Sequence, residues 1–327
     1  MPSATLQQPP CIPKWGRPKQ TTKKLDWAEI KVIDLSTYDE PNGKQKLAEE
    51  LRDAVHHTGF FSVTGTGLTQ EEVERQYDIG QAYFDLPLEE KGDPKYRCDF
   101  AKGNYFGYRA IESFSRRSLD IASKIFTLFS LILELPETYF SDQHRYDDAS
   151  EDHLRYMIYH PRPAADDAKV QNTWSRAHTD FGSLTLLWSQ DVAGLQLKTP
   201  AGEWKYVPPV PNGIICNVGD TLSFWSAGYF KSTIHRVIRP PEDQAHIHRL
   251  GLFYFVRPGN EVDIKPVASP LLRRLGLVGE DAEEREPVRG LEYVRERVKD
   301  YHDHGDYADK KGKKFKVGNL EIEDEAA

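Results

Sequence analysis

Apolar residues along this chain follow two different rhythms. In the N-terminal part they recur at helical spacing. Residues 46–59 (KLAEELRDAVHHTG) put Leu47, Leu51, Ala54 and Val55 on one stripe, and Gly59 suits the C-cap. Thr69-Gln70-Glu71-Glu72 is a capping box that opens a helix running to about Leu86, ahead of Pro87. Residues 115–134 predict the longest helix, with Leu119, Ala122, Ile125, Phe126, Phe129 and Leu133 on one face, and Leu135-Pro136 ends it. Two strands, IKVIDLS (30–36) and FFSVTG (60–65), stand among these helices. The Gly- and aromatic-rich stretch 99–110 reads as a loop.

Beyond residue 152 the rhythm shortens. Apolar or alternating segments recur as LRYMIYH (154–160), SLTLLWS (183–189), GLQLK (194–198), EWKYV (203–207), GIICNV (213–218), TLSFWS (221–226), IHRVI (234–238) and RLGLFYFV (249–256). Turn signals such as Pro211-Asn212-Gly213 and Gly219-Asp220 separate them. Many short, evenly spaced strands predict a sandwich, barrel or jelly roll. Helical spacing returns at 290–302 (GLEYVRERVKDYH).

The expected organisation is therefore a disordered or loosely docked arm (1–24), an N-terminal region with helices (25–152), a β core (153–260) and a helical tail (261–327), forming one integrated unit. The tail ends in a lysine cluster, KKGKKFK (310–316), balanced by Glu321, Glu323, Asp324 and Glu325. Of the 327 residues, 29% are charged and 39% hydrophobic, as in a soluble globular protein. The net charge of −8 argues against a protein held to nucleic acid by phosphate contacts. No apolar run approaches the roughly 18 residues of a membrane helix, and IFTLFSLILEL (125–135) carries Glu134. The N-terminus shows no apolar signal segment. Cys11, Cys98 and Cys216 suggest no disulfide framework, so a reducing compartment, the cytoplasm, is the expected address.

The chemistry centres on RAHTDFGSLTLL (176–187). Residues i and i+2 of a strand share a face, so His178 and Asp180 can offer an imidazole and a carboxylate to one point. The spacing alone is weak, since His304-Gly305-Asp306 repeats it in the polar tail. The first pair has a partner, His235, inside a later strand (KSTIHRV). Two histidines and a carboxylate form the facial triad of non-haem Fe(II) oxygenases, with three positions open. A bidentate 2-oxo acid fills two and O2 the third, and Arg249 at the start of the last strand can hold the acid's distal carboxylate. Taken singly, these residues read as a turn cap, a satisfied core histidine and a surface ion pair. The donor set also suits catalytic zinc. His302-Asp303-His304 reads as a solvated helix end.

The segments LRYMIYHP, AHTDFGSLTLLWSQDVAGLQLKTPAGEWKYVPPVPNGIICNVGD, YFKSTIHRV and RLGLFYFVRP resemble the 2-oxoglutarate/Fe(II)-dependent dioxygenase family, in its isopenicillin N synthase-like branch. VIDLS through TGFFSVTGTGL resembles that family's N-terminal region. The resemblance implies a mainly β fold with flanking helices around a double-stranded β-helix (jelly-roll, cupin-like) core. It implies Fe(II) on His178, Asp180 and His235, and 2-oxoglutarate on Arg249 with Tyr159 as a second contact. It further implies O2 as co-substrate and a small organic substrate, oxidised by hydrogen abstraction to a hydroxylated, desaturated or rearranged product of specialised metabolism. Overall similarity extends to fungal dioxygenases that expand a dearomatised polyketide ring to a tropolone. Phe181, Phe253 and Phe255, with Tyr105 and Tyr108 from the loop, are the expected pocket residues. No nucleic-acid or membrane partner is expected, and the chain is read as a monomer or weak homo-oligomer.

Two departures stand out. The family's Arg-x-Ser is Arg249-Leu250-Gly251 here, and its Asn two residues before the tyrosine is Met157. In relatives a further strand lies between the Gly-Tyr loop and the long helix. Here NYFGYRAIESFSRRSLDIASKIF runs almost directly into the helix. These departures leave one other reading open, a non-catalytic or truncated jelly-roll homologue acting as a binding protein.

Overall fold

Period-two alternation builds the core of the protein. The computed structural model describes residues 12–92, 108–280, 286–302, 314–318 and 320–323. Its strands are β1 (Lys31–Asp34), β2 (Phe60–Thr64), β3 (His153–Tyr159), β4 (Thr173–His178), β5 (Leu184–Trp188), β6 (Leu195–Lys198), β7 (Trp204–Tyr206), β8 (Ile214–Val218), β9 (His235–Ile238), β10 (Arg249–Val256), β11 (Asp263–Ile264), β12 (Val288–Arg289), β13 (Lys314–Val317) and β14 (Leu320–Glu323). Its helices are α1 (Gly43–His57), α2 (Gln70–Asp85), α3 (Leu88–Gly92), α4 (Tyr108–Ile132), α5 (Ala164–Lys169), α6 (Asp220–Trp225), α7 (Pro270–Arg274) and α8 (Gly290–His302). A larger sheet runs β1-β2-β8-β5-β10-β3 and a smaller one β4-β9-β6-β7. Only β1 and β2 pair in parallel within them.

Each strand of the larger sheet divides its residues between two environments. On β10, Leu250, Leu252, Tyr254 and Val256 face the main core, where α1 and α4 contribute Leu51, Phe126 and Phe129. On β8, Ile214, Cys216 and Val218 do the same, while Ile215 faces the other way. There Ile215, Leu187 and Phe60 meet Leu197 of the smaller sheet. The two sheets thus close on a second, inner cluster, as in a jelly roll. The mainly β architecture with flanking helices is the fold expected from the sequence.

Particular elements differ from expectation. TLSFWS (221–226) is the helix α6, not a strand; Leu222 and Trp225 bury at i, i+3, and so short an apolar run carries no decisive period. β4 is absent from the sequence-based strands because it is polar and kinked. Its register to β9 shifts twice, and only Ala177 among its residues is fully buried. The helical tail also contains strands, β11 pairing β12 and β13 pairing β14. The long helix starts at Tyr108, so the loop expected over 99–110 falls almost wholly outside the described residues.

From the sequence, the arm is expected to be disordered or loosely docked. Over residues 12–24 it is docked. Trp15 stacks on Tyr77 with ring centroids 4.4 Å apart, and its main-chain N–H donates to Asp78 Oδ1 at 2.6 Å. Gln20 Nε2 donates to Asp191 Oδ1 at 2.9 Å, and Thr21 Oγ1 to Asp243 at 2.8 Å.

Among the described residues β3 pairs only with β10 and forms an edge of the larger sheet.

Phe129 is fully buried between Phe61 and Phe230, whereas Leu275 is 52% exposed. Phe129→Ala is expected to lower unfolding stability by about 3–5 kcal/mol, and Leu275→Ala to stay within about 0.5 kcal/mol. Urea denaturation of both variants checks this; equal losses would contradict the assigned core.

Candidate active site

The crossover from the smaller sheet to the larger one brings the predicted triad together. His178 ends β4 and lies in register with His235, which opens β9, with ring centroids 4.5 Å apart. Asp180 follows in the turn leading to β5. Each imidazole is aimed by its own chain. His178 Nδ1 lies 2.7 Å from Arg176 O, and His235 Nδ1 lies 3.0 Å from Thr233 O. Both Nε2 atoms then stand 3.7 Å from Asp180 Oδ1.

The carboxylate is aimed from the opposite sheet. Thr185 Oγ1 on β5 donates to Asp180 Oδ2 at 2.6 Å, and Asn217 Nδ2 on β8 donates to the same oxygen at 2.8 Å. Two nitrogens and one oxygen therefore converge, all within 4.8 Å of one another. The protonation states match a cation site. Burial, then the neighbouring His235, pushes His178 down to about 4. Burial alone would raise Asp180, but His235, His178, Asn217 and Thr185 together hold it below the ordinary carboxylate value. Neutral imidazole and ionised carboxylate are the forms that ligate metals. The donor set, its convergence and its second contacts all fit an Fe(II) ion.

The turn itself is braced from below. Asp220 N–H donates to Asp180 O at 2.8 Å. The buried Asp220 carboxylate accepts from Thr179 Oγ1, Ser232 Oγ and Tyr293 OH, and Arg297 Nε lies 3.8 Å away. Tyr293 and Arg297 belong to α8, so the C-terminal helix supports the residue between the two motif positions. Gly219 permits the close approach; a β-carbon there would stand 2.2 Å from Gly182 O. In the sequence Gly219-Asp220 reads only as a turn.

A cavity of about 210 Å³ opens over the triad. Phe181, Phe253 and Phe255 line it. So do Arg249 and Tyr159, which face each other across β10 and β3. Arg249 is 3% exposed, its Nε donates to Val192 O at 3.3 Å, and burial lowers its pKa. No carboxylate among the described residues pairs with it. Tyr105 lies outside the described residues, and Tyr108 is the first residue of α4.

Sequence reasoning missed Thr185 and Asn217. Their signal was available as polar residues in apolar strands, SLTLLWS and GIICNV, at positions facing inward. It also missed Arg155 and Arg257, which line the same cavity.

Comparison with known proteins agrees with this geometry. The profile of the 2OG-Fe(II) oxygenase superfamily matches residues 151–258, and that of the N-terminal region of non-haem dioxygenases in morphine synthesis matches residues 30–154. The 2-oxoglutarate-dependent dioxygenase citB of Monascus ruber is 27% identical over 328 residues, covering 82% of this chain and 94% of its own. The UPF0676 protein C1494.01 of Schizosaccharomyces pombe is 25% identical over 283 residues, covering 73% and 85%. In fold, the chain resembles a full-length Neurospora crassa protein solved in complex with alpha-KG (TM-score 0.71, 22% identity, 85% of this chain and 100% of that one). It also resembles the rice dioxygenase for auxin oxidation (TM-score 0.66, 21% identity, 84% and 96%). The chain belongs to the 2-oxoglutarate/Fe(II)-dependent dioxygenases, enzymes that use Fe(II), 2-oxoglutarate and O2.

Proposed function

We propose that His178, Asp180 and His235 hold the Fe(II) of this oxygenase, and that Arg249 with Tyr159 holds the distal carboxylate of 2-oxoglutarate. The observation that carries the reading is the convergence of two Nε2 atoms on Asp180 Oδ1 while every second heteroatom of the three side chains is tied elsewhere. When bound, iron with 2-oxoglutarate and O2 supplies the oxidising equivalents for attack on an unactivated C–H bond. The chain's own residues do the rest. Asn217 and Thr185 keep Asp180 turned toward the histidines. Arg249, buried and without a protein carboxylate, offers its fork of donors to a dianionic co-substrate. Phe181, Phe253 and Phe255 form an apolar wall that excludes water and orients the substrate.

The substrate is a small organic molecule, and the outcome is hydroxylation, desaturation or rearrangement. A relative named for a small substrate, the 1-aminocyclopropane-1-carboxylate oxidase of Dictyostelium discoideum, supports this scale of substrate. No described helix is long and apolar enough to cross a membrane. Cys216, the one cysteine among the described residues, is a buried free thiol, which suits a reducing compartment such as the cytoplasm.

Fe(II) and then 2-oxoglutarate, added without oxygen, are expected to give the weak visible charge-transfer band of a chelated 2-oxo acid. Asp180→Ala should abolish it. A band of undiminished intensity in that variant would remove Asp180 from the ligand set.

Arg249→Leu is expected to weaken 2-oxoglutarate binding at least tenfold, the loss of a charge-assisted pair, with Fe(II) affinity unchanged. Titration of the same band reads both, and an unchanged 2-oxoglutarate affinity would reassign the arginine.

Asn217→Ala leaves the triad intact but frees Asp180 Oδ2 of one donor. Fe(II) affinity is expected to fall by about 10–100-fold, measured by competition with a chelator, and a wild-type affinity would show that Asn217 does not orient the carboxylate.

A further inference from the structure

One wall of the cavity is a ladder of paired residues. Along β3 and β10 the inward rungs are Tyr159–Arg249, Met157–Gly251, Arg155–Phe253 and His153–Phe255. Arg257 continues the inward face just beyond β10. Among the described residues the lining thus holds three arginines against a single carboxylate, Asp180. Resting on the site reading above, Asp180 belongs to the metal and Arg249 to 2-oxoglutarate. Iron and the co-substrate dianion cancel one another, so no carboxylate among the described lining residues is left for Arg155 and Arg257.

Arg257 is the more telling of the two. Its Nε is buried and has no hydrogen-bond partner. Its main-chain N–H donates to Asp152 Oδ1. Glu151, Asp152 and Asp180 act on it electrostatically, yet no described carboxylate lies within ion-pair distance of the guanidinium. A guanidinium held in this way keeps an unmet donor that an anion would satisfy. Beside it the ring of Phe255 is stacked between Phe253 (5.7 Å between centroids, 14° between planes) and His153 (5.1 Å, 26°). Aromatic side chains therefore adjoin the arginines on the same wall.

We propose that Arg257, with Arg155 at the rim, binds the anionic group of the substrate, and that the substrate is a small planar organic acid packed on Phe253 and Phe255. A cavity of about 210 Å³ that also holds 2-oxoglutarate restricts it to a compact molecule.

The test uses matched acid and amide probes on the whole chain: benzoate with benzamide, cinnamate with cinnamamide, and 1-naphthoate with 1-naphthamide. Binding is followed by calorimetry, with Mn(II) in place of iron, both with and without 2-oxoglutarate. At least one acid should bind tenfold or more tightly than its amide, the worth of a charge-assisted pair. Arg257→Gln should reduce that preference below threefold while leaving 2-oxoglutarate affinity within twofold, and Arg257→Lys should retain part of it. Arg155→Gln should give a smaller loss, and it serves as the second variant if the first does not fold. No acid preferred in any pair, or a preference that survives both glutamine variants, overturns the proposal. Failure of the underlying site reading shows separately, as absence of 2-oxoglutarate binding, because the acid preference is also measured without it.

Discussion

One turn between two sheets governs this protein. Residues 179–183 carry the chain from the smaller sheet to the larger, and Asp180 sits where both can hold it. The smaller sheet supplies two imidazoles in cross-strand register. The larger sheet supplies the hydroxyl of Thr185 and the amide of Asn217, both spent on the oxygen of Asp180 that faces away from them. A carboxylate has two equivalent oxygens, and left alone it would present either. Tying Oδ2 twice fixes which oxygen the histidines meet. Separation of the sheets would release Asp180 from its aim, because the histidines it meets belong to one sheet and the groups that tie its Oδ2 belong to the other.

The support continues outward to the C-terminal segment. Asp220 is fully buried, and burial raises its pKa despite Arg297 and three hydroxyl donors. A buried ion pair adds little net stability, since desolvation offsets much of the attraction. Its value here is positional. Asp220 accepts from Thr179, whose neighbours on either side are the triad residues, and it receives Tyr293 and Arg297 from α8. Arg297 also lies over the ring of Phe181, 4.7 Å from its centroid, so the cavity wall and the turn share one brace. A residue far along the sequence thereby sets the angle at which the motif leaves its strand.

Much of this was legible in the sequence, and for a physical reason. Strands buried on both faces, such as LTLLW and IICNV, read as continuous apolar runs, and turn residues bound them. His178, Asp180 and His235 stood out because a polar pair before such a strand needs a reason. What failed to show was whatever depends on neighbours distant in sequence. β4 lacks periodicity because bulges shift its register. The arm over 12–24 is too polar to announce burial, and it is held by polar contacts to Asp78, Asp191 and Asp243, each met by at least two groups of the arm, that no local pattern encodes. Asn217 and Thr185 look like impurities in apolar strands until the fold turns them toward one carboxylate.

The two changed positions of the family's co-substrate motifs turn out to be a single structural feature. Met157 and Gly251 occupy the same rung, opposite each other on β3 and β10. A β-carbon at position 251 would stand 2.4 Å from Cε2 of Phe253. A serine there and this placement of the phenyl ring exclude one another. On the proposed placement of 2-oxoglutarate, the glycine gives up one hydroxyl contact to it, about 1 kcal/mol. In exchange the Phe253 ring lies flat along the strand and continues into the stack with Phe255. The rung that relatives use for polar contacts has become apolar on both sides. In the proposed site, charge for 2-oxoglutarate is left to Arg249, one rung further in, and the aromatic surface extends toward Arg257. Substitutions that read in the sequence as a weakened co-substrate site are, in the fold, an extension of the apolar wall of the cavity.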